Sequence, residues 1–162
     1  NFFIPYENLD SVVINGKLNE NDVLKNNDIL TVRSNGNQEL IGRCMVADSV
    51  NERITHSGFT IRIRTNSKLI YPIYLCAYLR SDTIKKQLIG EGTGISIKSL
   101  SQKSLSSLAI PIPHISEQRR IVAVLDDILA ETSSLESSYQ KKISDLEELK
   151  KSVLQQAFSG AL

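Results

Sequence analysis

A chain of 162 residues that is 41% hydrophobic and 23% charged has apolar content for one domain-sized core plus an extension, which excludes a wholly disordered tail and a small disulfide-stapled scaffold. No run approaches the roughly 20 apolar residues that span a bilayer, and the opening Asn1-Phe2-Phe3-Ile4-Pro5 lacks a basic flank and a small-residue cleavage site, so a soluble intracellular protein with no membrane contact is the expectation. The formal net charge is only +1, but residues 33–103 carry eleven Lys and Arg against five Asp and Glu, whereas residues 116–162 carry six against eight, so the positive field belongs to the middle of the chain.

The chain starts without an initiator methionine and enters at once what reads as the middle of a domain, so a preceding segment is expected to be missing. Residues 1–110 then mix short β-branched and aromatic runs (12–14, 29–33 and 59–64) with Asn, Gly and Ser clusters, and two of those runs alternate as strands do. This predicts an irregular α/β or α+β globule. Cys44 and Cys76 sit far apart on apolar stretches with no Cys or His at ligand spacing, and they read as core residues rather than as a disulfide or a zinc site.

The run 29–33 leads directly into Arg33, Ser34, Asn35, Gly36 and Asn37, a loop with a cation, two amides, a hydroxyl and a flexible glycine. Arg pairs bidentately with guanine and Asn with adenine in the major groove, while Ser and backbone amides suit phosphate oxygens. A plain polar hairpin turn is the alternative. Further along, residues 73–79 suit a helix because Leu75, Tyr78 and Leu79 share a face, and Ser81 and Asp82 supply cap chemistry for a second helix to residue 89.

Residues 90–99 form a glycine-rich stretch, with Thr93 and Gly94 leading into Ser96 and Lys98, whose backbone amides would approach a phosphate closely. It is not a nucleotide-binding Walker loop. Counted from Gly92, such a loop needs Gly directly before Lys98-Ser99, where Ile97 stands.

Ile110-Pro111-Ile112-Pro113 forces extended backbone and makes a stiff connector, so a boundary is placed near His114: a globule over 1–113, then a helical segment over 114–162. From Ser116, read as the cap, neither Pro nor Gly occurs until Gly160, which predicts one helix of about 43 residues and about 64 Å. Steps of four and three residues place Ile121, Leu125, Ile128, Leu135, Tyr139, Leu146, Leu149 and Val153 on one seam, interrupted by Thr132, Lys142 and Gln156. That is a coiled-coil pattern, so pairing with another long helix is expected; folding back on the globule is the alternative.

Enzyme signatures are missing from the sequence. His56 and His114 are the only histidines, there is no nucleophile elbow, Asp126 and Asp127 are adjacent on a helix and face different ways, and no glycine motif for a cofactor occurs. No catalytic residue, metal ligand or cofactor is assigned.

Taken together, Ile110-Pro111-Ile112-Pro113, then Glu117-Gln118-Arg119-Arg120-Ile121-Val122, a long helix, and Gln155-Gln156-Ala157-Phe158-Ser159-Gly160 resemble the specificity subunits of Type I restriction-modification systems. Asp28-Ile29-Leu30, the run from Arg33 to Asn37, Leu40-Ile41-Gly42-Arg43 and Gly92-Thr93-Gly94 look like parts of that family's target recognition domain. Asn27 stands where the family often has glycine, and His114 where it often has another proline.

The resemblance implies a non-catalytic DNA-binding subunit with one recognition domain and one spacer helix, reading one half of a split target in double-stranded DNA. It implies pairing with a second spacer helix in the same subunit or in a homodimer, docking of methyltransferase and restriction subunits that bring S-adenosylmethionine and ATP chemistry, and a cytoplasmic role in bacterial or archaeal DNA methylation and phage defence. Within it, Arg33, Asn35 and Asn37 are candidates for base edges, and Ser34, Arg43, Thr93, Gly94, Ser96 and Lys98 for the DNA backbone and its surroundings. The competing reading is a helical adaptor with no specific DNA readout.

Overall fold

The computed structural model describes residues 2–7, 9–89 and 99–160. Three short strands, β1 (Ile29–Val32), β2 (Cys44–Val46) and β3 (Thr60–Ile63), form an antiparallel sheet in the order β2-β1-β3. Ile29 is the hub of the register, opposite Val46 on one side and Ile63 on the other. Alternation does the rest: Ile29 and Thr31 are buried while Leu30 and Val32 are half-buried, so one face of β1 lies against the core. Phe3 adds a parallel bridge at the β2 edge, where Val46 N–H donates to the Phe2 carbonyl at 2.7 Å.

The chain enters β1 through a tight corner. Asn27 takes the left-handed conformation at φ 72°, which a short amide side chain tolerates better than most residues. Its N–H donates to the Ala47 carbonyl at 2.8 Å, so the turn is tied to the end of β2.

Two helices cover the sheet. Pro72 opens α1 (Pro72–Arg80), where its missing N–H costs nothing, and Leu75, Cys76 and Leu79 bury one face. Helix α2 (Asp82–Ile89) follows after Ser81 and buries Ile84 and Leu88. These side chains join Ile29, Ile41, Cys44, Val46, Ile61 and Leu100 in one apolar core. A short α3 (Gln102–Ser106) is capped by Ser101, whose Oγ accepts from the Ser104 N–H at 2.9 Å.

Two of the three apolar runs become strands. Residues 12–14 do not, although they are β-branched: they pair with nothing in the sheet, and Val13 is 95% exposed. Propensity alone does not make a strand without a partner edge and a face to bury.

The last element, α4 (Ile115–Ser159), is a single helix of 45 residues. Its start corrects the expected cap. His114, rather than Ser116, holds that position: its carbonyl accepts from Glu117 and Gln118 N–H at 2.9 and 3.1 Å, and its Nδ1 accepts from Ser116 N–H at 3.4 Å. Gly160 ends the helix at φ 72°, the left-handed stop for which glycine suits best.

By contacts the chain divides after Val122, into Asn1–Val122 and Ala123–Leu162. The first two turns of α4 therefore belong to the globular unit, where Gln118 and Val122 are buried. The fold class is thus a mixed α/β unit with a small sheet, followed by one long helix.

Candidate nucleic-acid interface

The connection from β1 to β2 runs from Arg33 to Arg43 and is closed at its neck by two backbone bonds, Gly42 N–H to the Val32 carbonyl at 2.9 Å and Val32 N–H to the Arg43 carbonyl at 3.0 Å. On the other side, Arg33 and Ser34 both donate their N–H groups to the Phe59 carbonyl, at 2.8 and 3.3 Å. The loop is thereby held from both neighbouring strands.

Inside it, the two asparagines shape the backbone. Asn35 Oδ1 accepts from the Asn37 N–H at 2.9 Å, and Asn37 Oδ1 accepts from the Glu39 N–H at 3.0 Å, which caps the 3-10 turn Gln38–Leu40. Each side-chain oxygen keeps one lone pair and each amide both N–H groups, so the donor and acceptor needed to pair with adenine remain on an exposed residue whose rotamer is already fixed.

Arg33 and Arg43 are exposed, and Ser34 is half-buried. Among the described residues neither guanidinium has an ion-pair or hydrogen-bond partner. Other cations are engaged: Arg53 pairs with Glu20 at 2.6 Å, Arg64 with Asp28 at 2.7 Å, Arg62 donates to the Val23 carbonyl at 3.3 Å, and Lys85 Nζ to the Glu39 carbonyl at 2.7 Å. The hydrogen bond from Arg64 to Asp28 raises the guanidinium's already high pKa, so this cation is permanent. Part of the positive excess in the middle of the chain is thus taken up within the fold.

Helix α2 braces the loop. Besides the Lys85 bond to Glu39, a Cβ on Gly42 would lie 3.4 Å from Ile89 Cδ1, and Gly42 sits at φ 80°. The Leu100 N–H donates to the Arg33 carbonyl at 2.8 Å. Ile89 and Leu100, which flank the glycine-rich stretch, therefore both meet the Arg33–Arg43 connection; Thr93, Gly94, Ser96 and Lys98 themselves lie outside the described residues.

A depression of about 380 Å³ beside β3 is lined by Ile61, Ile63, Leu75, Leu79 and Leu105 together with Arg62 and Arg64. Both arginines are already bonded, Arg62 to the Val23 carbonyl and Arg64 to Asp28. No group of three or more potential metal ligands occurs among the described residues.

The sequence model described as the Type I restriction modification DNA specificity domain matches residues 3–145. The chain belongs to this specificity family. It is 29% identical over 123 residues to the Type I restriction enzyme EcoBI specificity subunit of Escherichia coli, and 25% identical over 147 residues to the StySPI specificity subunit of Salmonella potsdam. These matches cover 75% and 88% of the chain but only 26% and 30% of the relatives, so the chain spans less than a third of their length. The HsdS subunit from Thermoanaerobacter tengcongensis shares the fold at a TM-score of 0.63 and 23% identity, covering 78% of this chain and 32% of that one. A second structure, described as the structural basis underlying complex assembly and conformational transition of the type I R-M system, matches at a TM-score of 0.65 and 23% identity over 85% of this chain and 32% of its own.

For a specificity-family helix, the seam is open. Ile121 and Leu125 are half-buried, whereas Ile128, Leu135, Tyr139, Leu146, Leu149 and Val153 are exposed, and Val124, Leu129, Ile143, Leu154 and Phe158, outside the expected set, are exposed with them. No helix is long and apolar enough to cross a membrane among the described residues. Neither the brace from Lys85 nor the burial of Gln118 was legible in the sequence of this specificity domain.

Proposed function

We propose that the globular unit reads one half of a split target in double-stranded DNA, with Arg33, Asn35 and Asn37 at base edges and Ser34 and Arg43 at the phosphate backbone. The observation that carries this is the braced β1–β2 connection, which presents two guanidiniums without a partner among the described residues and two pre-oriented amides on one exposed loop of a family whose sequence model is a DNA specificity domain. Thr93, Gly94, Ser96 and Lys98 are proposed as a second contact segment, supported by Ile89 and Leu100 on either side of it meeting the same connection.

The domain division proposed is a recognition domain over 1–113 and a spacer helix over 114–162. The helix is proposed to pair through Ile121, Leu125, Ile128, Leu135, Tyr139, Leu146, Leu149 and Val153 with a second spacer helix, in the same subunit or in a homodimer, and to dock methyltransferase and restriction subunits. An apolar stripe exposed along some thirty residues loses its solvent cost only against a partner, which supports the pairing. Chemistry on DNA then belongs to the partners, and the setting is the cytoplasm.

The test is methylation-site mapping in cells without their own systems, expressing the matching methyltransferase subunit with a full-length specificity subunit that carries this chain, with and without a swap of residues 34–37. A split motif altered in one half only supports the reading. An unchanged motif removes recognition from this loop, and methylation that does not depend on the chain favours a helical adaptor.

A further inference from the structure

Gln118 is fully buried at 0% exposure, on the first turns of a helix that is otherwise largely exposed. Its side-chain amide makes three hydrogen bonds: Oε1 accepts from the Tyr71 N–H at 2.8 Å, and Nε2 donates to the Leu69 carbonyl at 2.9 Å and to the Pro113 carbonyl at 2.8 Å. Both amide donors are used, and three chain segments meet on one side chain: the entry to α1, the proline connector and the base of α4.

The same place is held by further contacts. Tyr74 and Tyr78 of α1 donate their hydroxyls to the carbonyls of Pro111 and Ala109, at 2.9 and 3.1 Å, strapping the connector to α1. The Arg119 guanidinium lies 4.6 Å from the centre of the Tyr71 ring, and Val122 is buried one turn on. An apolar side chain in place of Gln118 would tolerate small slides and rotations of the helix base, because dispersion contacts are not directional. Three hydrogen bonds with defined angles do not.

We infer that Gln118 is a positioning residue that fixes the axial position and rotation of the base of α4 in the recognition unit, and through it the number of base pairs separating the two halves of the target. This rests on the function proposed above. Gln118 touches no DNA in this role; it governs the gap and leaves the bases read in each half unchanged.

The test uses the full-length specificity subunit with its methyltransferase partner and maps methylated sites for the parent, Gln118→Met, and Val122→Ala as a control that loosens the same joint without touching the amide. Denaturation midpoints of the purified complexes set a temperature at which all are folded. For Gln118→Met the bases of each half stay the same, while the preference for the parental gap over gaps one base pair longer or shorter falls about tenfold, the order of one lost net hydrogen bond. Val122→Ala keeps the single gap. If Gln118→Met leaves no methylated site, Gln118→Asn, with the same amide one methylene shorter, is read against the same outcomes. A single parental gap in the Gln118 variant that is read, or an equal spread in Val122→Ala, overturns the inference while the function stands. A parent with no split motif overturns the function itself.

Discussion

Arg64 donates through Nε and Nη2 to the two carboxylate oxygens of Asp28, both at 2.7 Å, and so ties the end of β3 to the residue that opens β1. Asp28 is 1% exposed and also accepts from the Lys25 N–H at 2.8 Å. Removing its charge leaves the guanidinium half-satisfied beside a buried amide. Asp28→Asn is expected to lower the stability of the globular unit by about 2–3 kcal/mol, less than for a fully buried pair because Arg64 reaches solvent. Chemical denaturation monitored by circular dichroism checks this, and a loss below about 0.5 kcal/mol contradicts it.

Gly42 combines a positive φ with a buried position against Ile89. Gly42→Ala forces an L side chain into left-handed backbone, with an expected cost of about 1–2 kcal/mol. The strain falls on the neck of the Arg33–Arg43 loop, so weaker DNA binding accompanies the lower midpoint. A midpoint equal to the parent's refutes the strain.

Substitutions in the loop separate reading from holding. Arg33→Ala is expected to cost about 1–3 kcal/mol on the cognate site and to relax one position of the motif, whereas Arg43→Ala weakens all sequences alike and lowers the salt slope by about one. Binding titrations at several salt concentrations on cognate and scrambled duplexes distinguish them. A uniform loss for Arg33→Ala removes it from the base edge.

Leu146 lies mid-seam and is 64% exposed. If the helix pairs there, Leu146→Glu weakens association about 10- to 100-fold, the equivalent of burying one leucine, while circular dichroism of the globular unit stays unchanged. Sedimentation equilibrium reads the shift; unchanged association places the interface elsewhere.

Burial pushes the Cys76 thiol up to about 12, and the Cys44 thiol in the same direction. Both are therefore protonated at neutral pH and inert to disulfide reagents until the chain unfolds. The sign of the pH dependence follows: the contribution of Cys76 to stability is complete below the unfolded value near 9 and is lost as pH rises from there towards 12. Thiol titration at pH 8 with and without denaturant checks it; two fast-reacting thiols in the native protein contradict it.

The sequence disclosed whatever is periodic or punctuated. The strands through Ile29 and Ile61, the helices after Pro72 and Ser81, and the long uninterrupted helix to Gly160 each follow from local pattern. What stayed hidden depends on partners far along the chain. The run 12–14 has strand composition but no edge to join, and nothing local reveals that. The basic excess of residues 33–103 read as one positive field, yet Glu20, Val23 and Asp28, which take up Arg53, Arg62 and Arg64, lie outside that window. Gln118 stood in the sequence as part of the motif from Glu117 to Val122 with no sign of its burial, because the carbonyls of Leu69 and Pro113 reach it only after folding. Likewise the cap passed to His114, since its carbonyl and ring nitrogen outcompete a serine already one residue inside the helix.

The neck of the Arg33–Arg43 loop is closed by main-chain groups of Val32, Arg43 and Gly42, and its far flank by the carbonyl of Phe59. None of those bonds depends on the side chains at positions 34–36. Substitutions at Ser34 and Gly36 therefore leave the closure intact, whereas one at Asn35 gives up the bond that its Oδ1 accepts from the Asn37 N–H. Such an arrangement separates heritable change in what the loop displays from heritable change in whether the protein folds.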